Sequence, residues 1–246
     1  MNHTRDYESK NERVKKIFTD IARNYDRVNT VISFGQIGRW RNELVEKAPT
    51  AEGGRVLEIG CGTGQLTRLM ADHLPVEEIV GVDITPEMIE RAREGLPSRY
   101  SSRVRFIEGR GESLDFPTNY FDLVTSAFTL RNVESIESVV SEMERVVKPG
   151  GKVVNLELSS PTVPVFRHFY SIYFNYIMPL VGGVIHGSTA PYRYLTESVR
   201  KFPDQEDLKK ILEESGLINV RYENLLGGVA AIHCGEGGTS IDDDDA

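Results

Sequence analysis

A chain of 246 residues, 39% of them hydrophobic, is long enough to bury a full core, and one α/β domain is the default at that length. No uninterrupted apolar run reaches the ~18 residues of an ordinary membrane span, the start Met1–Asp6 is polar and lacks an apolar signal region, and Cys61 and Cys234 alone make no disulfide framework, so a reducing, cytoplasmic setting is expected. The net charge of −8 is uneven: residues 1–40 carry eight Lys/Arg against five Asp/Glu, whereas residues 204–246 carry three against eleven, which excludes a basic nucleic-acid stripe and leaves open contact of the N-terminal arm with an anionic membrane face, and a homodimer.

In chain order, residues 9–24 have helical spacing (Val14, Ile17, Phe18, Ile21), and 36–48 repeat it with Trp40, Leu44 and Val45. Strands and helices then alternate: strand 55–60, helix 64–73, strand 79–83, helix 86–94 opened by Thr85-Pro86, strand 103–108, strand 121–126, helix 134–147, and strand 152–158 after the turn Lys148-Pro149-Gly150-Gly151. Helix 204–215 and strands 218–224 and 228–234 complete the set, the last two as an antiparallel hairpin through Gly227-Gly228. The fold class this predicts is α/β, a doubly wound, mostly parallel seven-stranded sheet of Rossmann-like type. Residues 1–50 are expected to form a helical cap, 51–235 the main domain with a helical insertion over 161–200, and 236–246 a disordered acidic tail. The stretch 161–186 is unusually aromatic and apolar, broken by Pro164, Arg167, His168, Asn175 and Pro179. It fits either a helix covering one edge of the core or the wall of a large apolar pocket.

The most informative run is Val56-Leu57-Glu58-Ile59-Gly60-Cys61-Gly62-Thr63-Gly64. Strand character feeds into glycines at alternate positions, and a helix start follows, so unpaired N–H groups face a space that backbone can line closely. A nucleotide-sized ligand at the carboxyl end of the first strand is expected there, against the plainer alternative of a strand–turn–helix corner with no ligand. A dinucleotide site usually reads G-x-G-x-x-G; here the spacing is G-x-G-x-G, and the carboxylate of Glu58 suits a cationic ligand. S-adenosyl-L-methionine, with a sulfonium and an ammonium and no phosphate, fits that description. Asp83 ends the second strand where a carboxylate would accept from ribose hydroxyls, or would serve as a cap for the helix at Pro86. Ile84 and Met88 could pack on an adenine face, and the loop Glu108–Phe116 would reach its amine. The fourth strand ends Ser126-Ala127-Phe128-Thr129-Leu130-Arg131-Asn132-Val133, between cofactor and acceptor. Arg131 and Asn132 could orient a substrate oxygen or stabilise anionic charge; the alternative for Arg131 is a surface ion pair with Glu134 or Glu137.

The core 55–158 resembles class I S-adenosylmethionine-dependent methyltransferases. Three stretches are more specific: Tyr25–Gly35 followed by Trp40; Leu130-Arg131-Asn132-Val133; and Tyr192-Arg193-Tyr194-Leu195-Thr196-Glu197-Ser198 followed by Phe202-Pro203. Together they resemble the ubiquinone/menaquinone biosynthesis C-methyltransferase family over about residues 12–235. The resemblance implies that Gly60, Gly62 and Gly64 cradle the methionine part of the cofactor, with Thr63 beside its carboxylate and Asp83 on the ribose. It also implies that Arg131, Asn132, Tyr194 and Ser198 lie near the ring of a hydroquinone bearing an isoprenoid tail. The chain departs from the family pattern at Gln36–Arg39, where a histidine is common, at Gly187–Thr189, where an acidic residue is common, and at Arg110, where an aspartate is usual, so the adenine contact passes to Glu112 or to backbone.

Methylating a ring carbon requires an ionised neighbouring hydroxyl, and a phenol of pKa ~10 needs modest help. Asp26, Glu157, His186 or a water held by Arg131 are the candidates for the base. No metal is called for. Two rival functions stand beside the quinol C-methyltransferase: a methyltransferase of another apolar small molecule, and a cofactor-binding scaffold subunit without catalysis.

Overall fold

The structure, a computed structural model, describes residues 3–238, and the side chains in that range except those of residues 3–9, 11, 185 and 186. The side chain of His186 and most of the acidic stretch 236–246 therefore lie outside the described residues.

Seven strands form one sheet: β1 (Gly54–Ile59), β2 (Val76–Asp83), β3 (Val104–Glu108), β4 (Phe121–Ala127), β5 (Val147–Leu158), β6 (Ile218–Leu225) and β7 (Ala230–Glu236), in the order β3-β2-β1-β4-β5-β7-β6. β3 to β5 pair in parallel; β7 runs antiparallel to β5 and β6. The inner strands are apolar because both faces are covered. Successive residues of β1 show the pleat directly: Val56 packs into the core on one face and Leu57 into the core on the other.

The first face is covered by α3 (Gln36–Glu46), α4 (Gln65–His73) and α5 (Pro86–Glu94), and the second by α6 (Ile136–Val146) and α10 (Gln205–Glu214). Ser135 caps α6 through Ser138 N at 3.0 Å, and Asp204 caps α10 through Glu206 N and Asp207 N, both at 3.0 Å. The strand order reverses between β1 and β4, which opens a crevice at the carboxyl ends of these parallel strands, the position at which ligands bind in such sheets.

Several boundaries differ from expectation for identifiable reasons. The first helix, α1, spans His3–Ile21, and a separate helix α2 (Tyr25–Ile32) follows, set by its buried face of Val28 and Ile32. Lys148–Gly151 is a bulge inside β5, because the register passes from Phe121↔Val147 to Leu123↔Lys152 with Gly150 at φ +73°. Thr85 stands at the N-cap of α5, yet its side chain makes no capping bond. The insertion forms α7 (Pro164–Ile172), a π-helical turn (Tyr173–Ile177), α8 (Met178–His186) and α9 (Ala190–Lys201). Phe174, Met178, Tyr192 and Val199 from this region bury against Val28 and Ile32 of α2 in a third apolar cluster.

Candidate active site

The glycine loop is shaped by three different constraints. All three glycines are left-handed, with φ of +70°, +54° and +77° at Gly60, Gly62 and Gly64. A Cβ on Gly60 would lie 2.2 Å from Thr129 Oγ1, and one on Gly64 2.8 Å from Phe106 Cζ, whereas one on Gly62 meets no heavy atom within 4 Å. Neighbouring chain therefore demands the outer two, and only Gly62 turns a bare backbone to open space. Its N–H donates to Asp83 Oδ2 at 2.8 Å, while Thr85 N–H donates to Oδ1 at 2.9 Å. Asp83 thus ties the loop to the start of α5 and keeps a lone pair on each oxygen for a ligand. Burial pushes its carboxyl up, against the backbone bonds that pull it down.

Gly60, Gly62, Asp83, Ile84, Met88, Glu112 and Asn132 line one cleft, roofed by Val14 and Phe18 of α1 and by Tyr25. Its volume is about 90 Å³, below the ~300 Å³ of small-molecule sites. The roof is held by Thr19 Oγ1 donating to Glu87 at 2.8 Å, by Lys15 and Glu108 at 3.3 Å, and by Lys10 on the carbonyl of Val133.

Four expected cofactor residues lie behind this surface. Gly64 packs on Phe106 and starts α4. Ser126 is fully buried in the sheet and donates to Asn155 Oδ1 at 2.8 Å. Thr63 donates its hydroxyl to the Asp26 carboxylate at 2.9 and 3.0 Å. That bond fixes α2 to the glycine loop, so Asp26, expected as a base, sits outside the space an acceptor could enter. Glu58 is 2% exposed and accepts from the Thr67 hydroxyl rather than facing the cleft.

Burial raises the Glu58 carboxyl to about 7. Between pH 4.5 and about 7 the folded protein keeps a proton that the unfolded chain has released, so stability falls as pH rises through that window. At ~1.36 kcal/mol per pH unit over that window, Glu58→Gln is expected to stabilise the cofactor-free protein by about 3 kcal/mol at pH 8 and by almost nothing at pH 4. Thermal unfolding at the two pH values checks this; an equal effect at both contradicts it.

Tyr25 and Phe128 form the wall between the cleft and a second chamber of about 390 Å³. This chamber is apolar, walled by Trp40, Phe166, Tyr170, Tyr173, Phe174 and Met178. The insertion therefore both buries against α2 and builds a pocket wall. Phe128, a non-glycine residue at φ +60°, carries its ring into the wall. The chamber's polar groups include Arg131, whose side chain is 7% exposed and pairs with buried Glu157 at 2.8 Å rather than with Glu134 or Glu137. Glu134 pairs instead with Arg110 at 2.6 Å, and its N–H is taken by Glu112 at 2.9 Å. Burial raises the Glu157 carboxyl, and Arg131 opposes that. Glu157 thus anchors Arg131 through one oxygen.

Asn132 Oδ1, Arg131 Nε, Glu157 Oε1 and the Tyr194 hydroxyl are buried without a hydrogen-bond partner. Asn132 Nδ2 donates to the Phe128 carbonyl at 3.2 Å, which leaves Oδ1 for a ligand. Tyr194 and Ser198 stand on the other side of Arg131, away from the apolar chamber, and line a polar groove with Lys10 and Arg13. Tyr25, Phe128 and Arg41 were not singled out from sequence. Tyr25 opens the first signature stretch, which was a usable signal; a left-handed Phe128 leaves none.

A cleft at the switch point of a 3-2-1-4-5-7-6 sheet thus lies beside an apolar second chamber, with Tyr25 and Phe128 between them. Residues 6–237 match the ubiE/COQ5 methyltransferase family. The chain belongs to that family. A demethylmenaquinone methyltransferase from Staphylococcus aureus (strain JH9) is 39% identical over 231 residues, covering 94% of this chain and 95% of the relative. Among solved structures, the Haloferax volcanii complex of the Trm112 methyltransferase activator with a methyltransferase aligns with a TM-score of 0.66 at 16% identity, over 90% of this chain and 97% of that one. Phosphoethanolamine N-methyltransferase 2 of Haemonchus contortus, in complex with S-adenosyl-L-methionine, gives 0.61 at 16% identity, over 81% and 52%. The doubly wound, mostly parallel seven-stranded sheet with an antiparallel C-terminal pair is the fold expected from the sequence, and it is shared with these methyltransferase structures. This ubiE/COQ5 family member is a methyltransferase.

Proposed function

We propose that this methyltransferase methylates a ring carbon of a prenylated quinol, with demethylmenaquinol as the acceptor favoured over a ubiquinol precursor. The observation that carries the reading is the apolar chamber of about 390 Å³, separated from the cofactor cleft by only the Tyr25 and Phe128 rings. A flat aromatic ring fits between such walls, and the relative's demethylmenaquinone supplies the ring type.

The cleft suits the cofactor on its own residues: the bare Gly62 backbone, the spare lone pairs of Asp83, the apolar faces of Ile84 and Met88, and the unpartnered Asn132 Oδ1. In this reading Asp83 takes the ribose hydroxyls, Ile84 and Met88 flank the adenine, and Glu112 stands near its amine. S-adenosyl-L-methionine, when bound, supplies a methyl group on a positively charged sulfur that an electron-rich carbon can attack, the C–S electron pair staying on the sulfur. Phe128 and Tyr25 exclude water from the line between the two chambers, so charge in the chamber is poorly screened. Arg131, held by Glu157, lines the chamber and in this reading offers a fixed cationic donor to the acceptor oxygen. Among the described residues no carboxylate lines the chamber, which favours water as the final proton acceptor.

The test is tritiated S-adenosyl-L-methionine with a panel of short-tailed quinols and other phenols. Label is expected in reduced demethylmenaquinol and not in its oxidised quinone; label confined to unrelated acceptors overturns the reading.

The same reading has the enzyme working at the cytoplasmic face of a membrane, where its acceptor resides. Among the described residues no helix is long and apolar enough to cross a bilayer. Around the chamber, however, Phe34 is 77% exposed and Phe169 66%, and the apolar surface continues through Val165, Leu180 and Val184, the last 87% exposed. Leu180→Asp with Val184→Asp is expected to lower binding to anionic lipid vesicles by at least ~10-fold, with turnover of a short-tailed quinol unchanged. Undiminished cosedimentation contradicts this.

A further inference from the structure

Two guanidinium groups line the apolar chamber, Arg131 and Arg41, and their surroundings differ. The charge of Arg131 is matched by Glu157 at 2.8 Å. Arg41 makes no ion pair among the described residues. Its side-chain bond is a long one, Nη1 to Gln65 Oε1 at 3.3 Å, and its Nε is buried without a partner. Among the described residues no Asp or Glu lines the chamber. Of the two arginines lining the chamber, Arg41 is therefore the one without a carboxylate partner, and a half-buried cation beside apolar side chains favours an anion next to it.

We propose that Arg41 is a catalytic residue that holds the acceptor's ring hydroxyl in its ionised form, on the reading of the chamber as the phenolic acceptor site given above. The hydroxyl proton passes to water and its electron pair stays on the acceptor oxygen. A phenol of pKa ~10 is scarcely ionised near neutrality. A guanidinium within ~4–6 Å raises its ionisation constant by about 10- to 1000-fold. Arg131 cannot supply that net charge, since Glu157 cancels it; it acts as a fixed donor.

Several groups face Arg41. Burial raises the Tyr25 hydroxyl of α2, and the fields of Arg131 and Arg41 oppose that rise. Glu58 of β1 also feels Arg41, but it lies outside the chamber and its carboxyl is raised to about 7. On α4, Gln65 is neutral, and Arg68 is engaged with the Thr63 carbonyl at 2.9 Å. The Arg131–Glu157 pair completes the set.

The experiment is a spectroscopic titration of 2-naphthol bound to the full chain, read at the naphtholate absorbance, which no protein carboxylate contributes to. Bound to the wild type, naphthol is expected to ionise with a constant ~10- to 1000-fold above its free value; with Arg41→Gln the constant returns to within about threefold of free naphthol, and Arg41→Lys keeps most of the effect. In turnover, Arg41→Gln lowers kcat by a similar factor at pH 7 and leaves the KM for S-adenosyl-L-methionine unchanged. Its deficit shrinks toward pH 10, where the hydroxyl ionises unaided. Equal naphthol titrations in wild type and Arg41→Gln overturn the proposal alone. Failure of naphthol to bind the wild type at all overturns the chamber reading and the proposal with it.

Discussion

Arg131→Ala is expected to lower turnover by roughly 10²–10³-fold, the usual cost of removing a donor from a preorganised anion site. It also leaves Glu157 buried, 2% exposed and without its cation, and breaking such a pair costs about 3–5 kcal/mol of stability. The two effects separate in a double variant. Arg131→Met with Glu157→Gln removes both charges, so stability measured by urea unfolding recovers while turnover stays low. Cofactor affinity is little changed in both variants, because Arg131 lines the chamber and not the cleft. Normal turnover in Arg131→Ala reduces the residue to a structural ion pair.

Asp83→Ala is the second large effect. The carboxylate accepts from Gly62 N–H and Thr85 N–H, so its loss frees two backbone donors and removes the ribose acceptor together. Charge-assisted bonds contribute ~1.5–3 kcal/mol each, and 1.4 kcal/mol is tenfold in affinity. A rise of about 10²-fold or more in the cofactor Kd is expected, with little change in the KM for the acceptor. Titration calorimetry checks it; an unaltered Kd assigns Asp83 to the loop alone.

The strands were readable from sequence because a doubly covered parallel sheet needs apolar runs, and Val56-Leu57 and Val153-Val154 supply them. The glycine loop was readable because three left-handed positions leave few residues to choose from. α2 was not anticipated, since Tyr25–Ile32 has no capping side chain and its apolar face is satisfied by Phe174 and Met178, some 150 residues away. The aromatic insertion could not be assigned to core or pocket because it does both: Phe174 and Met178 bury, while Phe169 and Leu180 remain exposed. The partner of Arg131 was not legible for a similar reason, and the alternative of a surface pair with Glu134 or Glu137 does not hold. Glu134 and Glu137 are near in sequence, but the pairing Ser126↔Asn155 brings Glu157, two residues further along β5, beside the loop that follows β4. Glu58 and Ser126 were misread because a residue next to a binding loop in sequence can point into the sheet beneath it.

The central claim is that an ionised aromatic ring in the dry chamber faces the methyl donor across Tyr25 and Phe128. The most direct measurement uses S-adenosyl-L-methionine carrying a ¹³C methyl group, with reduced demethylmenaquinol, and locates the label in the product by NMR. The label is expected on the ring carbon adjacent to a hydroxyl-bearing carbon. Label on a quinol oxygen, or no transfer from a cofactor that binds, contradicts the account.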